Sequence, residues 1–262
     1  MPIMFAGREG VGPQHTTEYV HTIGETTLSP HTDITILLDR SGSMSAIKGA
    51  MESGFDEFLS AHRETPTTRL SLIQFDATQP YDVVYLERPI TDAPKLDLHP
   101  RGMTPLNDAL CRTIDETGRR LRDKRTEDRP NRVLMLVMTD GLENASKKHT
   151  ATDVKHRVNT QTGQYNWEFV YLGTNQDALL EAEKLGISRS KAVWFNVNRV
   201  DDTWKLLASN TANYAALSPT ASAGVASITL DWSELQRKQA AGTDTTDDSI
   251  KQTTTNGTKS RG

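Results

Sequence analysis

Residues 33–39 read DITILLD and run directly into Arg40-Ser41-Gly42-Ser43-Met44-Ser45. The first seven are nearly all apolar and end on a carboxylate. A short apolar run bounded by polar turns fits a strand buried on both faces, the kind found in parallel sheets covered by helices above and below. Immediately downstream, Ile47, Met51, Phe55, Phe58 and Leu59 recur at helical spacing, so 46–62 reads as a helix with Ser45 as its N-cap. Strand then helix, with no hairpin signal between them, is the start of a crossover unit.

The pattern continues along the chain. A second strand is expected at 69–75, and 81–87 alternates less cleanly, as a hairpin partner or edge strand would. A loop containing prolines, 89–105, leads to a helix at 106–122 with Leu106, Leu110, Ile114 and Leu121 as its buried stripe. Residues 133–139, VLMLVMT, form the strongest buried-strand signal. A helix from Thr152 to about Asn159, a strand at 167–172, a helix at 177–185, a short strand at 192–195 and a helix at about 200–216 follow. Strands alternating with helices across long connections predict an α/β fold: a doubly wound, mostly parallel sheet, helices on both faces and one antiparallel edge strand. Residues 1–31 read as an irregular arm, with one edge strand near Tyr19 to Ile23. Residues 218–262 read as a polar, disordered tail, because 241–262 offer Ile250 as the only large aliphatic and no aromatic. That leaves 32–217 as the folded domain.

Bulk properties narrow the function. The 262 residues suffice for one full core. The net charge of −4 has no basic stripe, so nucleic-acid binding is not expected. Cys111 is the single cysteine, which rules out an internal disulfide and fits a reducing compartment. No secretory signal opens the chain and no apolar stretch has membrane-spanning length, so a soluble, cytoplasmic protein with no membrane partner is expected. The seven histidines lack ligand spacing: His149 and His156 are seven apart, where a helical pair needs three or four. Trp167, Trp194 and Trp204 suit core positions. Trp232 is either an anchor for a short docking segment or a chance exposed residue.

Three segments carry the chemistry, each at an expected strand end or helix start. They are Asp39-Arg40-Ser41-Gly42-Ser43, Gly102-Met103-Thr104-Pro105 and Thr139-Asp140-Gly141. In an open parallel sheet, ligands gather beyond the carboxyl ends of the strands. Together Asp39 and Asp140 offer carboxylates, and Ser41, Ser43 and Thr104 offer hydroxyls. An all-oxygen set suits a hard cation such as Mg²⁺ or Mn²⁺ rather than Zn²⁺. Gly42 and Gly102 allow tight bends, and Pro105 is expected in the first turn of its helix. Glu143 and Asn144 either face this site or begin a solvated helix. Arg40 is expected to be solvent-exposed, the alternatives being a salt bridge or a grip on an acidic partner. The turn from Gly173 to Asp177 either shapes the rim or caps a helix.

D-x-S-x-S, a distant Gly-x-Thr-Pro turn and a later T-D-G after a buried strand resemble the metal-ion-dependent adhesion site of von Willebrand factor A domains, over roughly residues 32–217. Within that family, D-R-S-G-S-M, R-G-M-T-P-L, M-T-D-G-x-E-N and L-G-x-N-Q-D-A are most similar to intracellular bacterial and bacteriophage members. Similarity to A domains associated with tellurite resistance or paired with AAA+ ATPases is looser. The resemblance implies a central first strand and a metal held by Asp39, Ser41, Ser43, Thr104 and Asp140, the aspartates binding directly or through water. It also implies an open metal position that takes an acidic residue of a partner: an AAA+ ATPase, a second copy, or a phage or host protein. Binding of that kind requires no bond breaking, so the chain is not expected to be an enzyme. The alternatives are a Mg²⁺-dependent hydrolase of phosphatase type and an accessory protein of an AAA+ ATPase. A dehalogenase-type phosphatase needs D-x-D after the first strand, where this chain has Ser41. Neither a G-x-S-x-G elbow nor a phosphate-binding G-x-x-x-x-G-K-[ST] loop occurs.

Overall fold

A computed structural model describes residues 32–65, 67–174 and 177–243. The expected arm at 1–31, its edge strand near Tyr19 to Ile23, and residues 244–262 of the expected tail lie outside the described residues.

Six strands form one sheet in the order β3-β2-β1-β4-β5-β6. They are β1 (Thr32–Asp39), β2 (Thr68–Phe75), β3 (Asp82–Pro89), β4 (Arg132–Thr139), β5 (Glu168–Gly173) and β6 (Ala192–Trp194). All neighbours pair in parallel except β2 and β3, so β3 is the antiparallel edge strand. The helices are α1 (Lys48–Ala61), α2 (Leu106–Arg122), α3 (Ala151–Tyr165), α4 (Ala178–Lys184), α5 (Val200–Ala216), α6 (Ala223–Thr229) and α7 (Glu234–Ala241).

Period-two geometry splits each central strand between two cores. Ile34, Ile36 and Leu38 of β1 and Leu134, Leu136 and Met138 of β4 face α1 and α5, where Met51, Phe55, Phe58 and Trp204 fill the space. Leu37 of β1 and Val133, Met135 and Val137 of β4 face α2, α3 and α4. Every residue of β1 and of β4 is buried, which is why both read as mostly apolar runs with polar residues chiefly at their ends. Asp33 is tolerated at the start of β1 because Arg120 grips its carboxylate at 2.8 and 3.1 Å.

Several local expectations are corrected. Ser45 does not cap α1. A 3₁₀ turn over Gly42–Ala46 comes first, and α1 starts after Ile47, which contributes no side-chain cap. Pro105 occupies the N-cap position of α2 rather than its first turn. α3 begins behind a capping box of Thr150 and Asp153 and runs on to Tyr165, beyond the expected end, where Asn166 closes it in the left-handed conformation. The largest correction concerns residues 218–243. They continue as α6 and α7 and bury Ala226, Leu230, Trp232, Ala240 and Ala241. Trp232 is therefore a core residue, its backbone N–H donating to the Ser190 carbonyl at 2.8 Å.

The topology fixes where a ligand would sit. From β1 the chain moves outward through β2 and β3, then crosses back to place β4 on the other side of β1. The crevice at such a switch point opens at the carboxyl ends of the two strands. Those ends are Asp39 and Thr139.

Candidate metal centre at the sheet switch point

Asp39 ends β1 fully buried. One carboxylate oxygen accepts the Ser41 backbone N–H at 2.6 Å, and the other accepts the Thr139 hydroxyl at 2.6 Å. Thr139 ends the neighbouring strand, so this bond joins β1 to β4 at the crevice floor. Ser41 Oγ lies 3.0 Å from Ser43 Oγ, and Ser43 Oγ donates to Asp140 Oδ1 at 2.6 Å. Thr104 is brought in by the loop before α2. A methyl group placed on Gly141 would lie 3.4 Å from Thr104 Oγ1 and 3.9 Å from Ser43 Oγ. The structure thus gathers Asp39, Ser41, Ser43, Thr104 and Asp140 on one edge, with Thr139 beneath them.

Backbone bonds hold the three loops together. Gly42 N–H donates to the Gly102 carbonyl at 3.0 Å, and Arg101 N–H to the Arg40 carbonyl at 2.8 Å. Gly102 has φ +70°, a left-handed conformation that favours glycine. Gly42 is not among the glycines with positive φ, so its bend does not demand glycine. Asn144 accepts the Thr104 N–H at 2.8 Å through Oδ1 and returns its own N–H to the Thr104 carbonyl at 3.1 Å. Glu143 accepts the Asn107 N–H at 2.7 Å, and Asp108 accepts the Lys147 and His149 N–H groups, each at 2.8 Å. Glu143 and Asn144 therefore clamp the Thr139–Asp140 loop to the start of α2, and they do not begin a solvated helix.

Arg40 overturns its expected exposure. It is buried and turns away from the five oxygens, donating to Asp76 and Asp82 at 2.6 Å each and to Gln74 at 3.1 Å. Asp76 also accepts from Arg101 at 3.0 Å and from the Thr78 and Gln79 N–H groups. Burial pushes the Asp76 carboxyl upward, but these donors, Arg40 foremost, hold it below its ordinary value. This buried carboxylate fastens the loop of Ser41 and Ser43 to the loop of Thr104. Sequence reasoning missed it. Its signal was slight: a polar residue directly after the second strand, at the edge where ligands gather. At the turn after β5, Thr174 Oγ1 donates to the Asp140 carbonyl at 2.7 Å, and its own carbonyl accepts from Trp194 at 2.7 Å. Asn175 and Gln176 lie outside the described residues.

The electrostatics single out this edge. Burial pushes the Asp39 carboxyl up to about 6, against the pull of Thr139 and Ser41, and the Asp140 carboxyl is also raised, chiefly by burial. Among the described residues neither carboxylate has an ion-pair partner, while Arg40, the nearest cation in sequence, is committed to Asp76 and Asp82. Among the described residues, no group of three or more His, Cys, Asp and Glu side chains is placed to hold a metal. The candidate set here is of another kind, two carboxylates with three hydroxyls. Two uncompensated carboxylates facing hydroxyl oxygens fit a hard divalent cation. Cys111 is buried, and that burial pushes its thiol up to about 11. No helix among the described residues is long and apolar enough to cross a membrane.

No family model and no curated protein matches the chain. Its fold is similar to solved structures. Proximal thread matrix protein 1 of the mussel byssus matches with a TM-score of 0.54 at 15% identity, covering 70% of this chain and 48% of that one. The pilus adhesin SpaC of Lactobacillus rhamnosus GG gives 0.53 at 14%, covering 71% and 30%. The PilB minor pilin of Streptococcus sanguinis gives 0.51 at 11%, covering 70% and 62%. The chain thus spans less than two thirds of each of these proteins, and at such identities the likeness concerns the fold alone: an α/β sheet wound on both faces.

Proposed function

We propose that this chain is a metal-dependent protein-binding module. A divalent cation, Mg²⁺ or Mn²⁺, is held by Asp39, Ser41, Ser43, Thr104 and Asp140, and its open position takes a carboxylate from an acidic residue of a partner protein. The observation that carries this reading is the buried Asp39 carboxylate beside Asp140 and three hydroxyls, with no cation among the described residues to balance it. Such an arrangement is costly in water-poor surroundings unless a positive charge is supplied. The motif resemblance to von Willebrand factor A domains supports the same reading and puts an AAA+ ATPase among the partner classes. A reducing, cytoplasmic location agrees with the lone buried Cys111.

Hydrolysis is the weaker reading. Ser41 and Ser43 bond to one another and to Asp140, and no imidazole or ammonium group touches either hydroxyl among the described residues. The functional test is a pull-down from lysate with and without EDTA, repeated with the Asp39→Ala, Asp140→Ala double variant. A prey lost in EDTA, lost with the variant and restored by Mg²⁺ is expected. A prey indifferent to both would move the binding surface elsewhere.

A further inference from the structure

A cleft of about 560 Å³ opens at the end of the sheet opposite the candidate metal centre, where β4 and β5 begin and where α2 and α3 end. That volume lies within the range of small-molecule sites. Ile114 and Leu121 of α2, Val133 of β4 and Trp167, just ahead of β5, give it a buried apolar wall. Asn166, in the left-handed conformation, turns the chain back at the end of α3, and the Trp167 N–H donates to the Gln161 carbonyl at 3.1 Å. Tyr165 lines the same cleft and is 62% exposed.

Gly118 keeps the cleft open. It lies within α2, where glycine is a poorer helix former than alanine. Its φ is not positive. A Cβ there would meet only ordinary contacts, 3.8 Å from Gln161 Nε2 and 3.9 Å from the outer edge of the Trp167 indole. Neither backbone nor crowding calls for glycine at 118; what its missing side chain provides is room beside the indole. The charge of the lining is one-sided. Arg119, Arg122 and Arg129 stand against a single carboxylate, Asp115, which Arg157 already holds at 2.9 Å. Among the described residues, Arg119 and Arg122 ion-pair with exposed near neighbours, Glu116 and Asp123, contacts worth little in water. Arg129 makes no ion pair among the described residues and donates to the Arg122 carbonyl at 2.8 Å.

We propose that this cleft is a second ligand site, which takes a small molecule with an aromatic body and a carboxylate. The body enters the space left by Gly118 and packs on Trp167 and Tyr165, whose rings favour aromatic partners in stacked or edge-to-face contact. The carboxylate meets the arginines, whose planar forks match it. The site is independent of the metal-bridged reading above.

The test is equilibrium dialysis of the full chain in EDTA against 2-naphthoate and its uncharged analogue 2-naphthamide. EDTA keeps the carboxylate from binding through a metal at the other end of the sheet. The acid is expected to bind roughly tenfold more tightly than the amide, about what a charge-assisted hydrogen bond supplies. Gly118→Leu fills the space beside Trp167 and is expected to abolish naphthoate binding in a chain that melts as the parent does. Arg119→Gln, Arg122→Gln changes only exposed side chains and is expected to bring the acid down toward the amide, so the charge argument stays testable even if the leucine variant does not fold. An unaltered chain that binds neither probe, or binds both equally, overturns the proposal. So does a folded Gly118→Leu chain that holds naphthoate as well as the parent, or a double arginine variant that keeps the full preference for the acid.

Discussion

Replacing Asp39 with asparagine should stabilise the metal-free protein while destroying its response to metal. The carboxyl is pushed up to about 6 from an ordinary 3.8, chiefly by burial. A folded-state value raised in this way means the folded chain holds its proton more tightly than the unfolded chain. The associated stability is complete below pH 3.8 and is lost as pH rises through 6. At about 1.4 kcal/mol per unit, the ionised carboxylate costs about 3 kcal/mol at pH 7.5. An amide carries no charge and keeps the local bonds. Its oxygen can accept the Ser41 N–H, and its NH₂ can donate to Thr139 Oγ1, whose single proton then turns from residue 39 to the Gly141 carbonyl 3.1 Å away. Thermal melts in EDTA at pH 7.5 should place Asp39→Asn roughly 6–12 °C above the unaltered protein. At pH 4.5 the advantage should shrink to about 1 kcal/mol. Millimolar Mg²⁺ should raise the melting temperature of the unaltered protein alone. An Asp39→Asn chain less stable than its parent in EDTA at pH 7.5, or a difference independent of pH, would refute the reasoning that Asp39 is a buried charge lacking a cation.

Other predictions follow from packing and from the loop clamps. Gly54 of α1 faces Trp204 of α5 so closely that an added Cβ would lie 2.1 Å from the indole, so Gly54→Ala should cost about 1–3 kcal/mol or more in urea unfolding, despite alanine's better helix propensity. Asp76→Ala leaves Arg40 and Arg101 short of a carboxylate. It should lower stability by about 3 kcal/mol and weaken Mg²⁺ binding, because the Ser41–Ser43 and Thr104 loops lose their common anchor, both effects readable by melts and calorimetry. Trp232→Ala should cost about 3–5 kcal/mol in the same unfolding assay and expose α7 to limited proteolysis, whereas a residue in a disordered tail would tolerate the change.

The elements legible from sequence are those whose burial is extreme. β1 and β4 bury every residue, so they appear as apolar runs with a carboxylate or hydroxyl at the end. The clustering of Asp39, Ser41, Ser43, Thr104 and Asp140 was accessible because strand ends in a parallel sheet share one edge. The missed parts lack that contrast. α3 buries only Val154 and Val158, so its second half carries no stripe. α6 and α7 are short and bury mostly alanine, which reads as neither core nor loop; only Leu230 and Trp232 mark the packing there. Arg40 was misread because its partners Asp76 and Asp82 are 36 and 42 residues away, a pairing that only the β2–β3 connection creates.

The central claim is that the five oxygens hold a divalent cation. It is tested most directly by calorimetric titration of Mg²⁺ and Mn²⁺ into the metal-free chain, beside the Asp39→Ala, Asp140→Ala double variant, with both melts recorded to confirm folding. One cation per chain, bound by the parent and lost in a folded variant, is the predicted result. A parent that binds neither metal, or a variant that binds as well as the parent, would contradict the account.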